Sequence, residues 1–175
     1  MTDDPLRFGS AEYWLMLALL FFARGMDLLS TWVATPNLVL EANPLAKKLG
    51  WKLGAIINVI LCFTFAFWVP AGIIVITSGL LVAAHNFQAA WLMRAMGEDG
   101  YRDWFVSQLS RSRRRVYIGC LLGETAMFAL IGAALIIFDE SDSIAFDIGM
   151  GIAAYAVIVL FYSSLSLWRM RRGIG

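Results

Sequence analysis

The chain has 175 residues, of which 60% are hydrophobic, and it carries only 14 Lys and Arg and 13 Asp and Glu. A charged fraction of 15% and a mean hydropathy of +0.71 exclude an ordinary soluble domain, in which about 25% of residues are charged. The formal net charge of +1 gives no electrostatic basis for nucleic-acid binding, and the two cysteines, Cys62 and Cys120, lie in apolar runs and predict no disulfide framework.

The first apolar run, residues 12–34, predicts a transmembrane helix. As a helix it would be about 34 Å long, which is enough to cross a hydrocarbon core of about 30 Å. The residues before it include Asp3 and Asp4, whereas a cleaved signal peptide has a basic leader and an apolar core of about 7 to 15 residues. We therefore expect a retained first helix.

The second apolar run, residues 51–96, is too long for one span. It would measure about 69 Å as a helix, about twice what a bilayer accommodates. Pro70, followed by Gly72, is the expected turn, because proline has no N–H to donate to the preceding helix and suits the first turn of the next. We predict a tight hairpin of two helices, 51–69 and 71–96.

An interfacial helix is predicted at about residues 98–110, directly after this hairpin. Tyr101, Trp104 and Phe105 lie there beside Arg102, and more arginines follow. Aromatic rings at the membrane boundary and arginines near anionic lipid are typical of a helix that lies at the headgroups.

Two further apolar runs, residues 116–138 and 144–168, are separated by an acidic linker and bring the predicted spans to five. In lipid, backbone hydrogen bonds must close within each segment, so each span is predicted to be a helix. The predicted fold class is all-α: an integral membrane bundle of five transmembrane helices that forms one domain over residues 1–175.

The basic residues of the loops predict the orientation, because Lys and Arg of short loops stay in the cytoplasm. With the amino terminus outside and the carboxyl terminus cytoplasmic, only Arg7 lies outside and Arg24 lies within a span. The expected location is the inner (cytoplasmic) membrane, crossed several times. The basic residues then placed inside are Lys47, Lys48, Lys52, Arg94, Arg102, Arg111, Arg113, Arg114, Arg115, Arg169, Arg171 and Arg172.

Small residues on the fourth predicted span indicate a packing face. Gly119 and Gly123 form a small-xxx-small pair, a spacing that lets helix backbones approach closely in membranes, and the last two spans contain the further small residues Ala126, Ala133, Gly149 and Ala153. We expect this face to contact another helix of the same chain.

Polar side chains inside the predicted spans are the main functional signal, because an ionisable residue in lipid costs several kcal/mol unless it is paired or hydrated. By depth they fall in the cytoplasmic leaflet, whereas the outer half contains almost no polar residues apart from Tyr and Ser. We expect them to surround one polar pocket. They are Arg24, Asp27, Ser30, Thr31, Asn58, His85, Asn86, Gln88, Glu124 and Thr125, and Glu41 and Asn43 of the loop before the second span join them.

The pocket residues offer ligands for a divalent metal. Asp27, Asn43 and Glu124 supply oxygen atoms, and His85, the one histidine of the chain, supplies an imidazole nitrogen. Such a metal would polarise a phosphoryl or acyl oxygen, or activate water, for a lipid or lipid-linked substrate, with His85 or Glu41 as the base. The candidate contacts to an anionic headgroup are Lys47, Lys48 and Arg94.

Pairing within the bundle is the alternative interpretation of the polar residues in the spans. Asp27 lies three residues after Arg24, so the two side chains share one helix face and are predicted to form an ion pair that fixes the bundle. His85 and Asn86 would form hydrogen bonds between helices. In both cases the polar groups serve packing.

Helix capping is the alternative role of Glu41 and Asn43. These residues precede Pro44, so they would satisfy free amides at the start of the next helix. Glu124 has no such simple interpretation, since no basic residue lies within one turn of it in the sequence.

Three function classes follow from this pocket. The first is an enzyme that acts on a lipid or lipid-linked substrate. The second is a non-enzymatic accessory or scaffold subunit of a larger complex, with other membrane proteins as partners. The third is a proton or cation transporter, which the apolar outer half disfavours. Membrane lipids are expected partners in every case, and nucleic acid is not.

One segment resembles a known family pattern. Asp27-Leu-Leu-Ser-Thr31 and, after a gap, Glu41-Ala-Asn-Pro44 followed by a hydrophobic run are similar to the D-x3-T … E-x-N-P pattern of small prokaryotic polytopic membrane proteins of a domain-of-unknown-function family. The resemblance covers about residues 20–70. It implies that Asp27, Thr31, Glu41, Asn43 and Pro44 are the shared positions, and it implies no particular activity.

Overall fold

The computed structural model describes residues 4–112 and 114–172, and within these ranges its regular secondary structure is entirely helical. Five of the six helices, all except α4, are long and apolar enough to cross a membrane. This is the architecture of a multi-pass membrane protein, and it agrees with the predicted all-α class. The helices are α1 (Ala11–Ala34), α2 (Pro44–Phe65), α3 (Val69–Met96), α4 (Glu98–Arg111), α5 (Arg114–Phe138) and α6 (Ile144–Arg172).

Helix α1 begins at a serine cap and carries part of the core. The Ser10 hydroxyl oxygen accepts a hydrogen bond from the Tyr13 N–H at 3.2 Å, which satisfies one of the free amides of the first turn. Tyr13 and Leu20 of α1 are fully buried, and they belong to one cluster with Cys62 and Ala66. This cluster joins α1 to the turn that follows α2.

Helix α2 begins at Pro44, earlier than the predicted start at residue 51. Asn43 caps the helix and Pro44 occupies its first turn, where a missing N–H costs nothing. Gly50 then leaves the helical conformation, with φ 67° and ψ −177°. The helix is therefore a short segment, 44–49, followed by a break, and the predicted start of the span lies just after that break.

The hairpin between α2 and α3 turns at residues 66–68 rather than at Pro70. Pro70 instead lies in the first turn of α3, the position that its fixed φ and missing N–H suit. Two residues later, a Cβ added to Gly72 would lie 2.6 Å from the Sδ atom of Met16. Gly72 therefore allows α1 to pack closely on α3.

The helices pack in an order that differs from the chain order. Helix α1 packs on α3, α3 on α6, and α6 on α5, while α2 lies on the flank of α1. In the most apolar part of α2 only 6% of residues are buried, so most of this helix faces outward. Helix α4 buries none of its residues and corresponds to the predicted interfacial helix at 98–110.

Glycines bring α5 and α6 together, and one of them, Gly149, is among the small residues that the sequence indicated, whereas Gly132 is not. A Cβ added to Gly132 would lie 2.9 Å from the Gly149 carbonyl oxygen, and one added to Gly149 would lie 2.8 Å from the Leu135 Cβ. By contrast, a Cβ added to Gly119 or Gly123 would meet no described atom within 4 Å. The expectation of a close contact at Gly119 and Gly123 is therefore wrong within this chain, because that face of α5 points outward.

Candidate functional site

A cavity of about 660 Å³ lies between α1, α2, α3, α4, α6 and the loop at residues 35–43. It lies at the end of the bundle where α1 finishes and α2 begins. Leucine and isoleucine side chains from α1 and α2 form much of its wall. Its polar lining is concentrated in the residues Arg24, Asp27, Thr31, Glu41, Asn43, Asn58, His85, Asn86, Tyr101, Arg102, Tyr117, Tyr162, Ser163 and Ser166.

Arg24 connects α1 to α2 on one side of this cavity. Its Nη1 atom lies 3.0 Å from the Asp27 Oδ2, the pairing that the spacing along α1 predicts. Its Nε also donates to the Asn58 Oδ1 at 2.6 Å, and the Asn58 Nδ2 donates to the Gly54 carbonyl one turn earlier at 2.8 Å. The Arg24 charge is thus balanced inside the bundle by a carboxylate and by an amide of a neighbouring helix.

The loop before α2 presents Glu41 and Asn43 to the cavity. The Glu41 Oε1 accepts a hydrogen bond from the Asn43 N–H at 2.7 Å, and the Asn43 Oδ1 accepts one from the Leu45 N–H at 3.0 Å. Burial raises the pKa of the Glu41 carboxyl; the bond from Asn43 opposes this shift, and the nearby carboxylate of Asp27 adds to it. Asn43 is therefore a helix cap, and Glu41 is a carboxyl group whose neutral form the fold favours.

His85 and Glu124 contact each other between α3 and α5. The His85 Nδ1 lies 3.3 Å from the Glu124 Oε1, and the two side chains are 38% and 36% exposed. On the other side, the imidazole makes an edge contact with the Tyr155 ring of α6, with 6.5 Å between the ring centres. Among the described residues the cavity wall includes His85 but not Glu124.

Asn86 ties α3 to α1 beside this pair. Its Nδ2 lies 3.3 Å from the Ser30 Oγ and 3.5 Å from the Thr31 Oγ1. The Ser30 Oγ in turn donates to the Asp27 carbonyl at 2.9 Å. These bonds fulfil the interhelical role that the sequence suggested for this part of α3.

Glu98 holds α4 against the loop, a role that no feature of the sequence indicates. Its Oε1 accepts two hydrogen bonds at 2.8 Å, from the Thr35 Oγ1 and from the Asn37 N–H. The Thr35 Oγ1 also accepts from the Leu40 N–H at 3.1 Å. These hydrogen bonds fix the start of α4, and α4 places Tyr101 and Arg102 in the cavity wall.

The three candidate headgroup contacts lie outside this lining. The Lys47 Nζ donates to the Val39 carbonyl at 3.2 Å, and Lys48 is exposed. The Arg94 guanidinium lies 5.5 Å above the ring centre of Trp32, a cation–π contact. These residues are at the surface near the cavity, and the basic residues in its wall are Arg24 and Arg102 instead.

The predicted residues thus divide into three sets. Arg24, Asp27, Glu41, Asn43 and His85 share the cavity wall. Glu124 contacts His85 but is not among the described residues of the cavity wall. Lys47, Lys48 and Arg94 lie at the surface. The sequence missed Asn58 as the partner of Arg24, and it missed Ser163 and Tyr162 of α6, because the rotation of each helix about its axis leaves no trace in hydropathy.

The four predicted metal ligands are not gathered at one point. In residues 4–112 and 114–172, no group of three or more His, Cys, Asp or Glu side chains is arranged to hold a metal ion. Asp27 faces Arg24, Asn43 caps α2, and Glu124 faces His85. The divalent metal therefore stays a prediction.

One polar residue contradicts the expectation of an almost apolar outer half. Asp147 lies in the first turn of α6, at the opposite end of the bundle from the cavity, and is only 5% exposed. A carboxylate in the first turn is favoured by the helix dipole, which explains its position but not its burial.

The chain matches no protein-family model, no curated protein and no solved structure. The resemblance to the D-x3-T … E-x-N-P pattern consequently stays a prediction.

Proposed function

We propose that the protein is an inner-membrane enzyme whose cavity takes the polar headgroup of a lipid or a lipid-linked substrate. The observation that carries the proposal is the cavity itself, which combines apolar walls with a charged Arg24 and a histidine that faces a carboxylate. A volume of about 660 Å³ lies within the range of about 300–1,000 Å³ that ligand pockets occupy.

The proposed orientation places the amino terminus outside and the carboxyl terminus in the cytoplasm. The cavity then lies in the cytoplasmic leaflet. Lys47, Lys48, Arg94 and Arg102 support this orientation, since all four lie at the cavity end of the bundle. Arg113 and the side chains of Arg114, Arg169, Arg171 and Arg172 lie outside the described residues.

The proposed chemistry is general-base catalysis by His85. An imidazole changes its protonation state near neutral pH and can take a proton from a hydroxyl group or from water. Glu41 supplies a second carboxyl at the cavity, and burial raises its pKa, so this group is suited to hold or return a proton.

Filling the cavity tests the binding step. Gly54 lies in the cavity wall, and a Cβ added there would meet no described atom within 4 Å. We expect Gly54→Phe to lower the occupancy of co-purified lipid, measured by native mass spectrometry, about tenfold, the change that a loss of about 1.4 kcal/mol produces. Gly119→Phe is the matched control, since this glycine has equally open surroundings outside the cavity. Equal lipid occupancy in both variants would refute binding in the cavity.

The catalytic step is tested in proteoliposomes made from a bacterial polar lipid extract. We expect the wild-type protein to change one lipid species over time, measured by quantitative lipid mass spectrometry, and we expect His85→Gln to abolish this change. Gln88→Ala is the control, because Gln88 is an exposed polar residue of the same helix outside the cavity wall. An unchanged rate in His85→Gln would refute the role of His85 as the base.

A second candidate function is that of a scaffold subunit, and the exposure of two helices favours it. Only 6% of residues are buried in the most apolar part of α2, and the same holds for α5. Such faces contact lipid or the helices of a partner. Native purification in mild detergent separates the two functions, because a scaffold keeps a partner protein at a fixed ratio and a lone enzyme does not.

A bound divalent metal is the remaining part of the proposal that comes from the sequence. Elemental analysis of the purified protein tests it directly. We expect a stoichiometric divalent metal that Asp27→Asn removes, and a protein that contains no metal after purification in chelator-free buffer would contradict this.

A further inference from the structure

We propose that Glu124 is a positioning residue that fixes the tautomer of His85, so that the Nε2 atom of the imidazole is the proton acceptor of the cavity. The catalytic meaning of this inference rests on the proposed function. The assignment of the proton to Nδ1 of His85 does not depend on that function, because it is inferred from the contact between Nδ1 and Glu124.

One ring nitrogen of His85 lies beside the Glu124 carboxylate. The Nδ1 atom of His85 lies 3.3 Å from the Glu124 Oε1, and the two residues come from different helices, α3 and α5. His85 lines the cavity and Glu124, among the described residues, does not. The carboxylate contacts the ring at Nδ1, and we assign Nε2 to the bound molecule.

The chemistry of the two groups then selects one tautomer. An ionised carboxylate only accepts hydrogen bonds, so its contact with Nδ1 is favourable when Nδ1 carries the proton. In a neutral imidazole one nitrogen is the donor and the other is the acceptor. With Nδ1 protonated, Nε2 holds the free electron pair.

The surroundings of the pair agree with this assignment. Tyr155 of α6 contacts the imidazole edge, and both Tyr155 and Tyr117 lie within electrostatic range of Glu124. Phenol groups are neutral donors near neutral pH and do not compete with the imidazole as cations. The Glu124 carboxylate therefore balances the positive charge that His85 acquires when it takes up a proton.

The proton transfer balances without any further reagent. The O–H bond of a headgroup hydroxyl or of a water molecule breaks, and its electron pair stays on the oxygen. The proton forms a new N–H bond at Nε2, and the resulting imidazolium lies beside the Glu124 carboxylate. The oxygen then forms a bond to the phosphorus or acyl carbon of the substrate, and the bond from that atom to the leaving-group oxygen breaks with its electron pair going to that oxygen. The proton returns from Nε2 to the leaving-group oxygen, which restores the neutral ring.

The experiment uses the fact that the chain contains one histidine. In protein labelled with ¹⁵N-histidine, the two ring nitrogens give one pair of signals, and their chemical shifts distinguish a protonated nitrogen from an unprotonated one. Above the pH at which the ring becomes neutral, we expect Nδ1 to be the protonated nitrogen in the wild-type protein. A spectrum with Nε2 protonated would overturn the inference.

Two substitutions at Glu124 complete the test. We expect Glu124→Ala to change the tautomer ratio about fivefold or more toward the Nε2-protonated form, since the carboxylate beside Nδ1 is lost. Glu124→Gln, which keeps an acceptor oxygen and the side-chain volume, is expected to give a smaller change and serves where the alanine variant folds poorly. Glu140→Ala, an exposed acid in the linker before α6, is the control. Signals that do not change in either Glu124 variant would also overturn the inference.

The outcome is independent of any substrate. A tautomer fixed by Glu124 together with unchanged lipid conversion in His85→Gln would refute the proposed function and leave the positioning role intact. The reverse result would refute the positioning role alone. In that case His85→Gln abolishes lipid conversion, but the tautomer ratio is the same in the wild-type protein and in the Glu124 variants.

Discussion

Tyr13 carries a buried hydroxyl group without a hydrogen-bond partner in the described part of the chain. Its ring is fully buried and contacts Phe67, with 4.9 Å between the ring centres. An unsatisfied buried hydroxyl is costly, whereas the ring alone is not. We expect Tyr13→Phe to increase the free energy of unfolding by about 1 kcal/mol. Thermal unfolding in detergent measures this, and a lower melting temperature would show that the hydroxyl has a partner.

Glu41 gives the protein a pH-dependent stability of defined sign. Burial raises the pKa of this carboxyl, so the folded state holds its proton more strongly than the unfolded state does. Its contribution is fully present below the ordinary pKa of 4.5 and is lost as the pH rises through the raised value.

We expect Glu41→Gln to raise the melting temperature at pH 8 by about 2–4 °C and to have little effect at pH 4. The exposed carboxylate Asp103, with a side chain that is 76% exposed, provides the control variant Asp103→Asn. Melting curves at several pH values measure both variants. A destabilised Glu41→Gln protein at pH 8 would mean that the negative charge itself has a stabilising partner.

The residues of the site were predictable as types but not as partners. Ionisable groups in apolar runs identify Arg24, Asp27, His85 and Glu124 without a structure. The Arg24–Asp27 pair follows from spacing along one helix, because residues three apart share a face. The His85–Glu124 pair connects two helices, and its formation depends on the rotation of both. Hydropathy contains no information on that rotation.

At the level of elements, the apolar runs predicted which segments are helical, but they did not predict where α2 begins or where it is interrupted. The run at 51–96 indicates a hairpin because it exceeds the bilayer thickness. The cap at Asn43 and the break at Gly50 are set by hydrogen bonds and by a positive φ. Neither changes the hydropathy of the chain, so hydropathy places the short segment 44–49 outside the predicted span.

The α5–α6 contact yields a prediction at this scale. A Cβ at Gly149 would meet the Leu135 Cβ at 2.8 Å and the Gly132 carbonyl oxygen at 2.9 Å, so one of the helices must move. We expect Gly149→Ala to cost about 1–3 kcal/mol of stability. Gly119→Ala, with no described atom near its added Cβ, is expected to be neutral or slightly stabilising, because alanine favours helix. Thermal unfolding in detergent compares the two, and equal stability would contradict the observed packing.

At the scale of the whole molecule, the number of spans was predictable because it depends only on length and hydropathy. The spatial order α1–α3–α6–α5 was not, because lipid is as apolar as the helix faces and leaves their arrangement to local packing. Close contacts between helices, such as those at Gly72 and Gly149, decide this spatial order.

The proposed orientation is tested by reporter fusions. We expect alkaline phosphatase, which is active only outside the cytoplasm, to be active when fused in the linker at residues 139–143 and inactive when fused at residue 112. Fluorescent protein that matures in the cytoplasm is expected to give the opposite result at the same sites. Phosphatase activity at residue 112 would reverse the orientation and place the cavity in the outer leaflet.

The loose attachment of α2 has a consequence for the environment in which the protein works. Gly54, Ile57, Asn58 and Leu61 of this helix form one wall of the cavity, although little of the helix is buried. We therefore expect the width of the cavity to depend on the acyl chains around α2. Lipid occupancy of the cavity, measured by native mass spectrometry after reconstitution in bilayers of different acyl-chain length, is expected to change with bilayer thickness, and an unchanged occupancy would contradict this.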